Sequence, residues 1–376
     1  MEKVIETSHA IAEAVRLAKP DVIPIYPVTP QTHIAERLAD FVADGLLKAE
    51  MITVESEHSA ISAAIGASAA GSRVFTATAS QGLALMHEVL FIASGLRLPV
   101  VMAIANRALS APINIWCDHS DSIAERDSGW IQLYCESAQE AYDSVLFAYR
   151  IAENRDVLLP TMVCVDGFSL SHVYERVLLD NDEKVRKYVG KYRPLFKLDA
   201  RKPVTMGPIG YPNSFMEFKE QQEQAMKMAI NVMRVEERNF KKHFKRDFYG
   251  LIETYNLANA RYAIIAMGSV CGTIKHVLKQ SRLKDIGLIK LRSFRPLPKE
   301  ALKKAFEGLK AIAVIDRAVS FGNGGVLWNE IKALSCLPVH SFIAGLGGRD
   351  ITPRHIMKAF DVMQKEKENE KRIWLK

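Results

Sequence analysis

Cysteine is scarce in this sequence, and the cysteines that occur form no recognisable motif. Among 376 residues there are five, an odd number, and no two are spaced as Cys-x-x-Cys; they are Cys117, Cys135, Cys164, Cys271 and Cys336. This pattern argues against a disulfide framework, a zinc site or an iron–sulfur cluster held by this chain. A reducing cytoplasm is the simplest setting for it.

The sequence also lacks long apolar runs and a strong excess of one charge. No uninterrupted apolar stretch reaches the roughly 18 residues of a membrane span. Met1-Glu2-Lys3 is predicted to lead into a mixed, charged helix, and the N-terminus does not resemble a signal peptide. The net charge of +7 comes from 50 basic and 43 acidic residues, so it is a modest excess. We therefore expect no membrane partner.

One basic run, residues 238–246, contains interleaved aromatic residues, a pattern that also occurs in nucleic-acid-binding proteins. However, Phe240, Phe244 and Phe248 recur every four residues and would share one face of a helix, with the lysines outside. We interpret the run as an amphipathic helix with a solvated basic face, and we expect no nucleic-acid partner.

Several catalytic motifs are missing. The sequence has no Gly-x-x-x-x-Gly-Lys phosphate-binding loop, and no serine or cysteine is placed beside a credible base. Asp118, His119 and Asp121 resemble a metal-binding cluster only superficially. No metal site is therefore predicted in this chain.

What the sequence does contain is a regular alternation of strand and helix patterns from residue 4 to about residue 166. Helical patterns separate the strands, and one of them, residues 57–70, is rich in alanine and serine and is closed by Gly71. The apolar runs suited to buried strands are 22–26, 51–54, 74–77, 100–104 and 158–165. This alternation predicts an α/β fold with a mostly parallel sheet and helices on both of its faces.

The pattern changes after this region. Proline, glycine and charged residues interrupt it, and Ser214 to Glu217 predicts a capping box that opens a long polar helix. A second α/β pattern starts at the apolar run 262–266, which ends in a glycine turn. We predict four parts: a first α/β domain (1–175), a connector with a long helix (176–257), a smaller α/β domain (258–362) and a charged tail (363–376). Residues 365–372 of the tail are expected to be a solvated helix end.

Polar signatures follow four of the predicted strands. They are Tyr26-Pro27-Val28-Thr29-Pro30, Val54-Glu55-Ser56-Glu57-His58, Thr78-Ala79-Ser80-Gln81-Gly82 and Ala105-Asn106-Arg107. Because parallel strands end at one edge of a sheet, residues far apart in sequence converge there. The signatures therefore predict a binding or active site at this edge.

Two of the signatures contain residues suited to a carboxylate ligand. Thr29 is a plausible N-cap with Pro30 at the first helical position, and a cap hydroxyl at this edge can also face a ligand. Arg107 is suited either to a surface ion pair or, in a cleft, to bidentate binding of a carboxylate. The residues alone leave these alternatives open.

Glu57 has two interpretations as well. An acidic residue in a first helical turn stabilises the helix dipole by a few tenths to about 1 kcal/mol. The small residues that follow permit close packing, which would bury Glu57, and a buried carboxylate is suited to sharing a proton with a ligand nitrogen. Ser80 and Gln81, between a strand and a helix, are a weak signal for an anion site.

Taken together, these motifs resemble the α subunits of multi-subunit 2-oxoacid:ferredoxin oxidoreductases, in particular those that act on pyruvate. The resemblance covers nearly the whole chain. Besides Tyr-Pro-Val-Thr-Pro at 26–30, it includes Glu-Ser-Glu-His-Ser-Ala at 55–60, Thr-Ala-Ser-Gln-Gly-Leu-Ala-Leu-Met-His-Glu at 78–88, Asn-Arg-Ala-Leu-Ser-Ala-Pro-Ile-Asn-Ile at 106–115, Asp-Gly-Phe at 166–168 and Phe-Ile-Ala-Gly-Leu-Gly-Gly-Arg-Asp at 342–350.

The resemblance implies the domains, the cofactors and the partners. Residues 1–175 would be the thiamine diphosphate-binding domain that faces the aminopyrimidine ring, and residues 258–362 a transketolase C-terminal-like domain. A separate β subunit would share the thiamine diphosphate and hold its diphosphate and Mg²⁺. The [4Fe-4S] clusters would lie on partner subunits, among them γ and δ subunits, with ferredoxin accepting electrons and coenzyme A accepting the acyl group.

By the same match, Glu57 would hydrogen-bond the pyrimidine nitrogen, Ser80 and Gln81 would help to bind the cofactor, and Thr29 and Arg107 would hold the carbonyl and carboxylate of the substrate. The implied activity is the reversible, coenzyme A-dependent oxidative decarboxylation of pyruvate to acetyl-CoA and CO2. One alternative is the same chemistry on a branched-chain, aromatic or dicarboxylic 2-oxoacid. Another is a non-catalytic scaffold, which has no need for the Glu57 carboxylate.

Overall fold

Strands and helices alternate through the first part of the chain. The computed structural model describes residues 1–281, 283–365 and 371–376. The strands up to residue 189 are β1 (Glu2–Glu6), β2 (Val22–Ile25), β3 (Glu50–Thr53), β4 (Phe75–Thr78), β5 (Val101–Asn106), β6 (Ile131–Tyr134), β7 (Thr161–Asp166) and β8 (Tyr174–Leu178). The helices are α1 (Thr7–Ala18), α2 (Thr32–Ala43), α3 (Glu57–Ala69), α4 (Ser80–Leu85), α5 (His87–Gly95), α6 (Ser120–Ala124), α7 (Ala138–Ala152) and α8 (Asp182–Val189).

The long helix α9 (Phe215–Phe244) leads to the second part. Its strands are β9 (Ile252–Tyr255), β10 (Tyr262–Ala266), β11 (Ile286–Leu291), β12 (Ser293–Arg295), β13 (Ala311–Asp316), β14 (Val319–Ser320), β15 (Gly324–Gly325), β16 (Val339–Ile343) and β17 (Arg372–Trp374). Its helices are α10 (Val270–Ser281), α11 (Lys299–Phe306), α12 (Val326–Lys332) and α13 (Pro353–Lys365). In the described ranges, no helix combines the length and the apolar character that crossing a lipid bilayer requires.

The first sheet has the strand order β12–β6–β7–β5–β4, and a bridge between Val22 and Val74 adds the pair β2–β3 beyond β4. All neighbours are parallel except β12 and β6. Along β5, Ala103 and Ala105 face one buried cluster, while Met102 and Ile104 face another. Since side chains alternate along a strand, both faces of the sheet are covered. The predicted α/β fold is confirmed.

The strands predicted from apolar runs correspond to β2, β3, β4, β5 and β7. The mixed, charged helix predicted after Met1-Glu2-Lys3 is α1, which begins at Thr7, and the strand β1 that residues 2–6 form before it was not predicted. β1 pairs antiparallel with β8, from Glu2 opposite Leu178 to Glu6 opposite Tyr174. A partner strand this distant in the sequence gives no local signal.

Thr29 does not cap α2, contrary to the prediction. The helix begins at Thr32, and Gln31 is its N-cap residue. Gln31 is fully buried: its backbone N–H donates to Val28 O (2.7 Å) and its side chain donates to Ala77 O (3.2 Å). Gln31 therefore ties residues 28–31 to β4 as a turn, and Thr29 is left exposed on that turn.

The long helix predicted in the connector is observed, but the capping box is not. Ser214 is the N-cap residue of α9 and makes no capping hydrogen bond, because its hydroxyl donates to Tyr211 O (3.3 Å) instead. The sequence pattern of a capping box does not fix the backbone of the preceding turn.

The aromatic residues of the basic run are buried and its lysines are exposed, as expected for an amphipathic helix. Phe240 and Phe244 lie on α9. Phe248 is also buried but lies beyond the end of the helix, so it does not share that face as predicted; its ring packs against Phe147 of α7 with centroids 4.6 Å apart.

The second sheet has the order β17–β16–β13–β10–β11–β9, parallel except for β9. Of the predicted solvated helix end at 365–372, Lys365 is the exposed last residue of α13, whereas Arg372 belongs to β17, in which Arg372 to Trp374 pair with Ser341 to Ile343 of β16. Residues 366–370 of that predicted tail lie outside the described residues. Ile373 packs against an apolar cluster of the second sheet, and this burial stabilises β17 at the edge of the sheet.

One buried carboxylate joins the two sheets. Asp166, the last residue of β7, contacts His119 Nε2 (2.7 Å), the backbone N–H of Ser269 (3.0 Å) and Arg317 Nη1 (2.5 Å). Ser269 follows the second-sheet strand β10, and Arg317 follows β13. Burial alone would raise the pKa of Asp166, but Arg317 and His119 outweigh burial and hold that pKa well below its usual range.

A second group of ion pairs connects the two sheets close to the end of β6. Lys290 of β11 is only 1% exposed, and its Nζ lies 2.5 Å from Glu136 and 2.6 Å from Glu253, with Glu140 as a further partner. Glu140 is on α7, beside the first sheet. The chain then enters the first sheet itself, because β12 pairs with β6.

We predict that Asp166→Asn lowers the free energy of unfolding by about 3–5 kcal/mol, because Arg317 would stay buried without its counter-ion. The pKa of Asp166 is lowered in the fold, so its contribution is complete above the unfolded pKa of about 4 and is lost as the pH falls below it. The variant should therefore lose less stability on acidification than the wild type. Urea unfolding at a series of pH values measures both effects.

Asp127→Asn is the control for this prediction, because Asp127 is 71% exposed and should change stability by no more than about 0.5 kcal/mol. An unfolding midpoint of Asp166→Asn that matches this control would contradict the role given to Asp166.

Candidate functional site

The four polar signatures meet at the carboxyl edge of the first sheet, as the sequence predicted. Arg107, after β5, donates from Nη1 to Thr29 O (3.0 Å), after β2. Ser80, after β4, donates from Oγ to Ala108 O (2.6 Å). Glu57, after β3, lies against Gly82 of α4. Residues that follow four strands therefore lie at one edge of the sheet.

Glu57 begins α3, where the Ser56 hydroxyl accepts a hydrogen bond from Ser59 N–H (3.2 Å) and caps the helix. The predicted burial of Glu57 is confirmed, since its exposed fraction is 7%. A Cβ atom at position 82 would overlap Glu57 Oε1, so the carboxylate needs glycine there. No residue in the described part of the chain donates a hydrogen bond to this carboxylate or pairs with it.

Thr78 adds a second unsatisfied polar atom beside Gly82. Its Oγ1 would lie 2.6 Å from a Cβ atom at position 82 and, among the residues the structure describes, has no hydrogen-bond partner although it is buried. Buried polar groups are almost always paired. The carboxylate of Glu57 and the hydroxyl of Thr78 are therefore suited to a polar ligand group.

Arg107 is a buried cation without an acidic partner. Its side chain is bound through Nε to Asn114 O (2.8 Å) and through Nη1 to Thr29 O (3.0 Å), and the residue is 8% exposed. Within residues 1–281, 283–365 and 371–376, no carboxylate lies within 4 Å of the guanidinium and Nη2 has no acceptor. By contrast, the buried Arg73 pairs with Glu153 at 2.6 Å. The open edge of Arg107 is suited to an anionic ligand.

The backbone oxygen of Thr29 accepts the hydrogen bond from this guanidinium. Its side chain is exposed, and its hydroxyl makes no hydrogen bond with the described residues. A ligand held by Arg107 would therefore find a free hydroxyl next to it.

Ser80 and Gln81 have structural partners. Besides the bond from Ser80 to Ala108, Gln81 Nε2 donates to Ser110 Oγ (2.7 Å). Both side chains hold the loop that follows Arg107. Direct contact of these residues with a cofactor stays a prediction.

Asp121 is a residue of the site that sequence reasoning missed, because it was considered only as a metal ligand. Its carboxylate accepts four hydrogen bonds, from Ser80 N–H (3.0 Å), Arg107 N–H (2.9 Å), Ser122 N–H (2.7 Å) and Asn106 Nδ2 (2.7 Å). Burial raises its pKa to about 6, while these hydrogen bonds act in the opposite direction. Asp121 thus fixes two strand ends relative to each other.

Asp118 and His119, the other members of the apparent metal cluster, have separate partners. Asp118 accepts from the Ser120 hydroxyl (2.5 Å) and His119 contacts Asp166. Each of the three residues is thereby explained by hydrogen bonding within the chain.

Comparisons with known proteins cover nearly the whole chain. Residues 13–238 match the family described as pyruvate flavodoxin/ferredoxin oxidoreductase, thiamine diP-bdg, and residues 260–356 match pyruvate:ferredoxin oxidoreductase core domain II. Pyruvate synthase subunit PorA of Methanocaldococcus jannaschii is 54% identical over 99% of this chain and 97% of its own length. Its counterpart in Methanothermobacter thermautotrophicus is 53% identical over 94% and 93%.

A relative with a different name is also similar. Ketoisovalerate oxidoreductase subunit VorA of Pyrococcus horikoshii is 42% identical over 99% of this chain and 96% of its own length. Among solved structures, the 2-oxoglutarate:ferredoxin oxidoreductase from Magnetococcus marinus with 2-oxoglutarate, coenzyme A and succinyl-CoA bound is similar with a TM-score of 0.77 and 18% identity. The match covers 96% of this chain and 65% of that chain, and at this identity it concerns the fold alone.

We predict that Asp121→Ala loosens both strand ends at once. The N–H groups of Ser80 and Arg107 lose their acceptor, and an unsatisfied buried donor costs about 1–3 kcal/mol. Hydrogen–deuterium exchange followed by mass spectrometry should show faster exchange at both positions. Asp127→Ala, at an exposed position nearby, is the control and should leave both rates unchanged. Unaltered exchange at both amides in Asp121→Ala would contradict the bridging role.

Proposed function

The chain belongs to the pyruvate flavodoxin/ferredoxin oxidoreductase family, and on this basis we propose that it is the α subunit of a pyruvate synthase. With its partner subunits it would catalyse the reversible oxidative decarboxylation of pyruvate with coenzyme A to acetyl-CoA and CO2, with ferredoxin as electron acceptor. The match to a thiamine diphosphate-binding family and the names of relatives that cover almost the full length support this proposal.

The observation that carries the proposal is a pair of buried, unmatched charges of opposite sign at one sheet edge. Glu57 has no donor and Arg107 has no carboxylate among the described residues, whereas Asp166 and Lys290 elsewhere have several partners. Leaving buried charges unpaired is costly. A ligand that shares a proton with the carboxyl group of Glu57 and offers a carboxylate to Arg107 would supply both missing partners.

The residues around Glu57 fit the aminopyrimidine of thiamine diphosphate. The protonated carboxyl group of Glu57 would donate its proton into a hydrogen bond with a ring nitrogen, Thr78 would supply a further polar contact, and Gly82 keeps the space beside them free of a side chain. When bound, thiamine diphosphate supplies the electron sink for decarboxylation of a 2-oxoacid. The chain's own contribution is to hold a carboxylate at that nitrogen in a site that largely excludes water.

The residues around Arg107 fit the substrate. Its free guanidinium edge would bind the carboxylate of pyruvate, and the Thr29 hydroxyl would hydrogen-bond the carbonyl oxygen. Ser80 and Gln81 would act on cofactor and substrate through the loop that they hold.

The proposal assigns the rest of the chemistry to other chains. A β subunit would hold the diphosphate and Mg²⁺, and further subunits would carry the [4Fe-4S] clusters, since the five cysteines of this chain are free and lack cluster spacing. Residues 1–175 would form the cofactor half-site, and residues 258–362 the second domain beyond the connector. Free thiols also favour a cytoplasmic location.

A branched-chain 2-oxoacid:ferredoxin oxidoreductase subunit is the second candidate. It is favoured by the similarity to the ketoisovalerate oxidoreductase subunit, which extends over the same length of chain.

Substrate preference tests the two candidates directly. We expect the complex, purified with its partner subunits, to show the highest kcat/KM for pyruvate in a panel with 2-oxoisovalerate, phenylpyruvate and 2-oxoglutarate. Because each extra methylene changes discrimination by about 10- to 200-fold, the preference should reach at least about tenfold. The assay uses coenzyme A and an artificial electron acceptor. A preference for 2-oxoisovalerate would replace the first candidate by the second, and no turnover with any of the acids would favour a scaffold.

Glu57→Gln should lower kcat by at least about 100-fold, as expected when a group that shares a proton is replaced by an amide of the same shape. Glu55→Gln is the matched control: Glu55 lies two residues away, is exposed and binds the Ser59 hydroxyl. Gel filtration checks that both variants assemble. A Glu57→Gln complex with the rate of the Glu55→Gln complex would remove Glu57 from the site.

A further inference from the structure

The glycine-rich motif at the end of β16 belongs to the second sheet but contacts the loop that carries Arg107. We call residues 345–348 the glycine clasp and residues 107–119 the site loop. Gly348 N–H donates to Cys117 O (2.7 Å), Gly347 N–H donates to Asp118 Oδ2 (3.1 Å), and Gly347 O accepts from Asn114 Nδ2 (3.2 Å). Three hydrogen bonds therefore connect four consecutive residues to one loop.

This contact requires glycine at two neighbouring positions. Gly347 has φ +58° and Gly348 has φ +81°, in the left-handed region that other residues rarely adopt. A Cβ atom at position 347 would lie 2.6 Å from Asn114 Nδ2, and one at position 348 would overlap the Cβ of Trp116. The clasp thus fits against the site loop at a distance that side chains would prevent.

Asn114 connects the clasp to the guanidinium of Arg107. Its side-chain amide donates to Gly347 O, while its backbone oxygen accepts from Arg107 Nε (2.8 Å). The side-chain oxygen of Asn114 also accepts from Trp116 N–H (2.7 Å), and Trp116 O accepts from Ala108 N–H (3.0 Å). The site loop is therefore closed on itself, and the position of Asn114 sets the direction of the guanidinium.

Arg317 holds the far end of the site loop. Its Nη2 donates to Cys117 O (3.3 Å) and to Gly345 O (3.4 Å), and its backbone oxygen accepts from His119 N–H (2.8 Å). The second sheet thus supports the site loop both near Asn114 and near its end.

We propose that the glycine clasp is a positioning element of the 2-oxoacid site: it fixes the Arg107 guanidinium through Asn114 and so sets the affinity for the substrate carboxylate. The inference rests on the proposed function, in which Arg107 binds that carboxylate. It gives the second sheet a role in substrate binding, although the carboxylate-binding side chain itself comes from the first sheet.

Gly348→Ala tests this proposal in the purified complex, and Gly308→Ala is a closely matched control. Both glycines have φ +81°, so the backbone strain of the two substitutions is the same, but a Cβ atom at position 308 would have nothing within 4 Å. We expect Gly348→Ala to raise the KM for pyruvate about 10- to 100-fold, because a displacement of about 1 Å at a site can cost about 100-fold. The KM for coenzyme A should not change, and Gly308→Ala should match the wild type.

Asn114→Ala is a second test of the clasp proposal, and this substitution adds no atom to the site loop. It removes the side-chain hydrogen bonds to Gly347 and to Trp116 and keeps the backbone oxygen that binds Arg107, so the KM for pyruvate should rise about 5- to 150-fold, as for the loss of two neutral hydrogen bonds. If Gly348→Ala does not assemble, this variant decides the question.

Arg107→Ala distinguishes a failure of the proposed substrate role of Arg107 from a failure of the clasp proposal. It should lower kcat/KM for pyruvate about 10- to 150-fold, and an unchanged value would overturn the proposed substrate role of Arg107 and the clasp together. If Arg107→Ala has this effect while Gly348→Ala and Asn114→Ala keep the pyruvate KM of the Gly308→Ala control, the substrate site stands and the clasp proposal is wrong. An equal change in the KM of pyruvate and of coenzyme A would also refute it, because that is the result of general destabilisation.

Discussion

The two sheets and the site between their loops depend on one ionised carboxylate in the protein interior. Asp166 lies where β7 of the first sheet meets Ser269 and Arg317 of the second, and it also contacts His119 at the end of the site loop. A buried charge is tolerated only when cations and hydrogen-bond donors surround it. Meeting this requirement brings residues from both sheets and from the loop within a few ångströms of one another, and it fixes their relative placement together with the Lys290 ion pairs and the pairing of β12 with β6.

Matched and unmatched charges separate the structural ion pairs of this chain from the residues of the proposed site. The interior contains many ionised groups, and Arg73 and Lys290 are typical in having carboxylates at hydrogen-bonding distance. Glu57 and Arg107 differ, because no described residue neutralises either of them. Burial alone would not separate the two classes, since all four side chains are buried. The missing partner is the informative feature, and it appears at the strand ends where the polar signatures gather.

The fold, the edge of the sheet where the polar signatures meet and the burial of Glu57 could be predicted from sequence because their signals are local. Apolar runs predicted the central strands, and the small residues of α3 predicted the burial of Glu57. The capping-box error at Ser214 has a local cause, but other errors arise from contacts between distant residues. β1 is a strand because β8 pairs with it, and Thr29 lies on a turn because Gln31 is tied to β4. Asp121 likewise acquires its role only when strand ends 41 and 14 residues away reach it.

The pairing of β12 with β6 of the first sheet has a consequence for the nascent chain. Without β12, β6 is the edge of the remaining four strands, β6, β7, β5 and β4, which are complete once residue 166 has been synthesised, yet β12 begins only at Ser293. Until then the backbone N–H and C=O groups of β6 remain open to pairing with other chains, as on any uncovered edge strand. During translation, this edge is the surface of the first sheet on which premature association between nascent chains would start, and the emergence of the second half closes it.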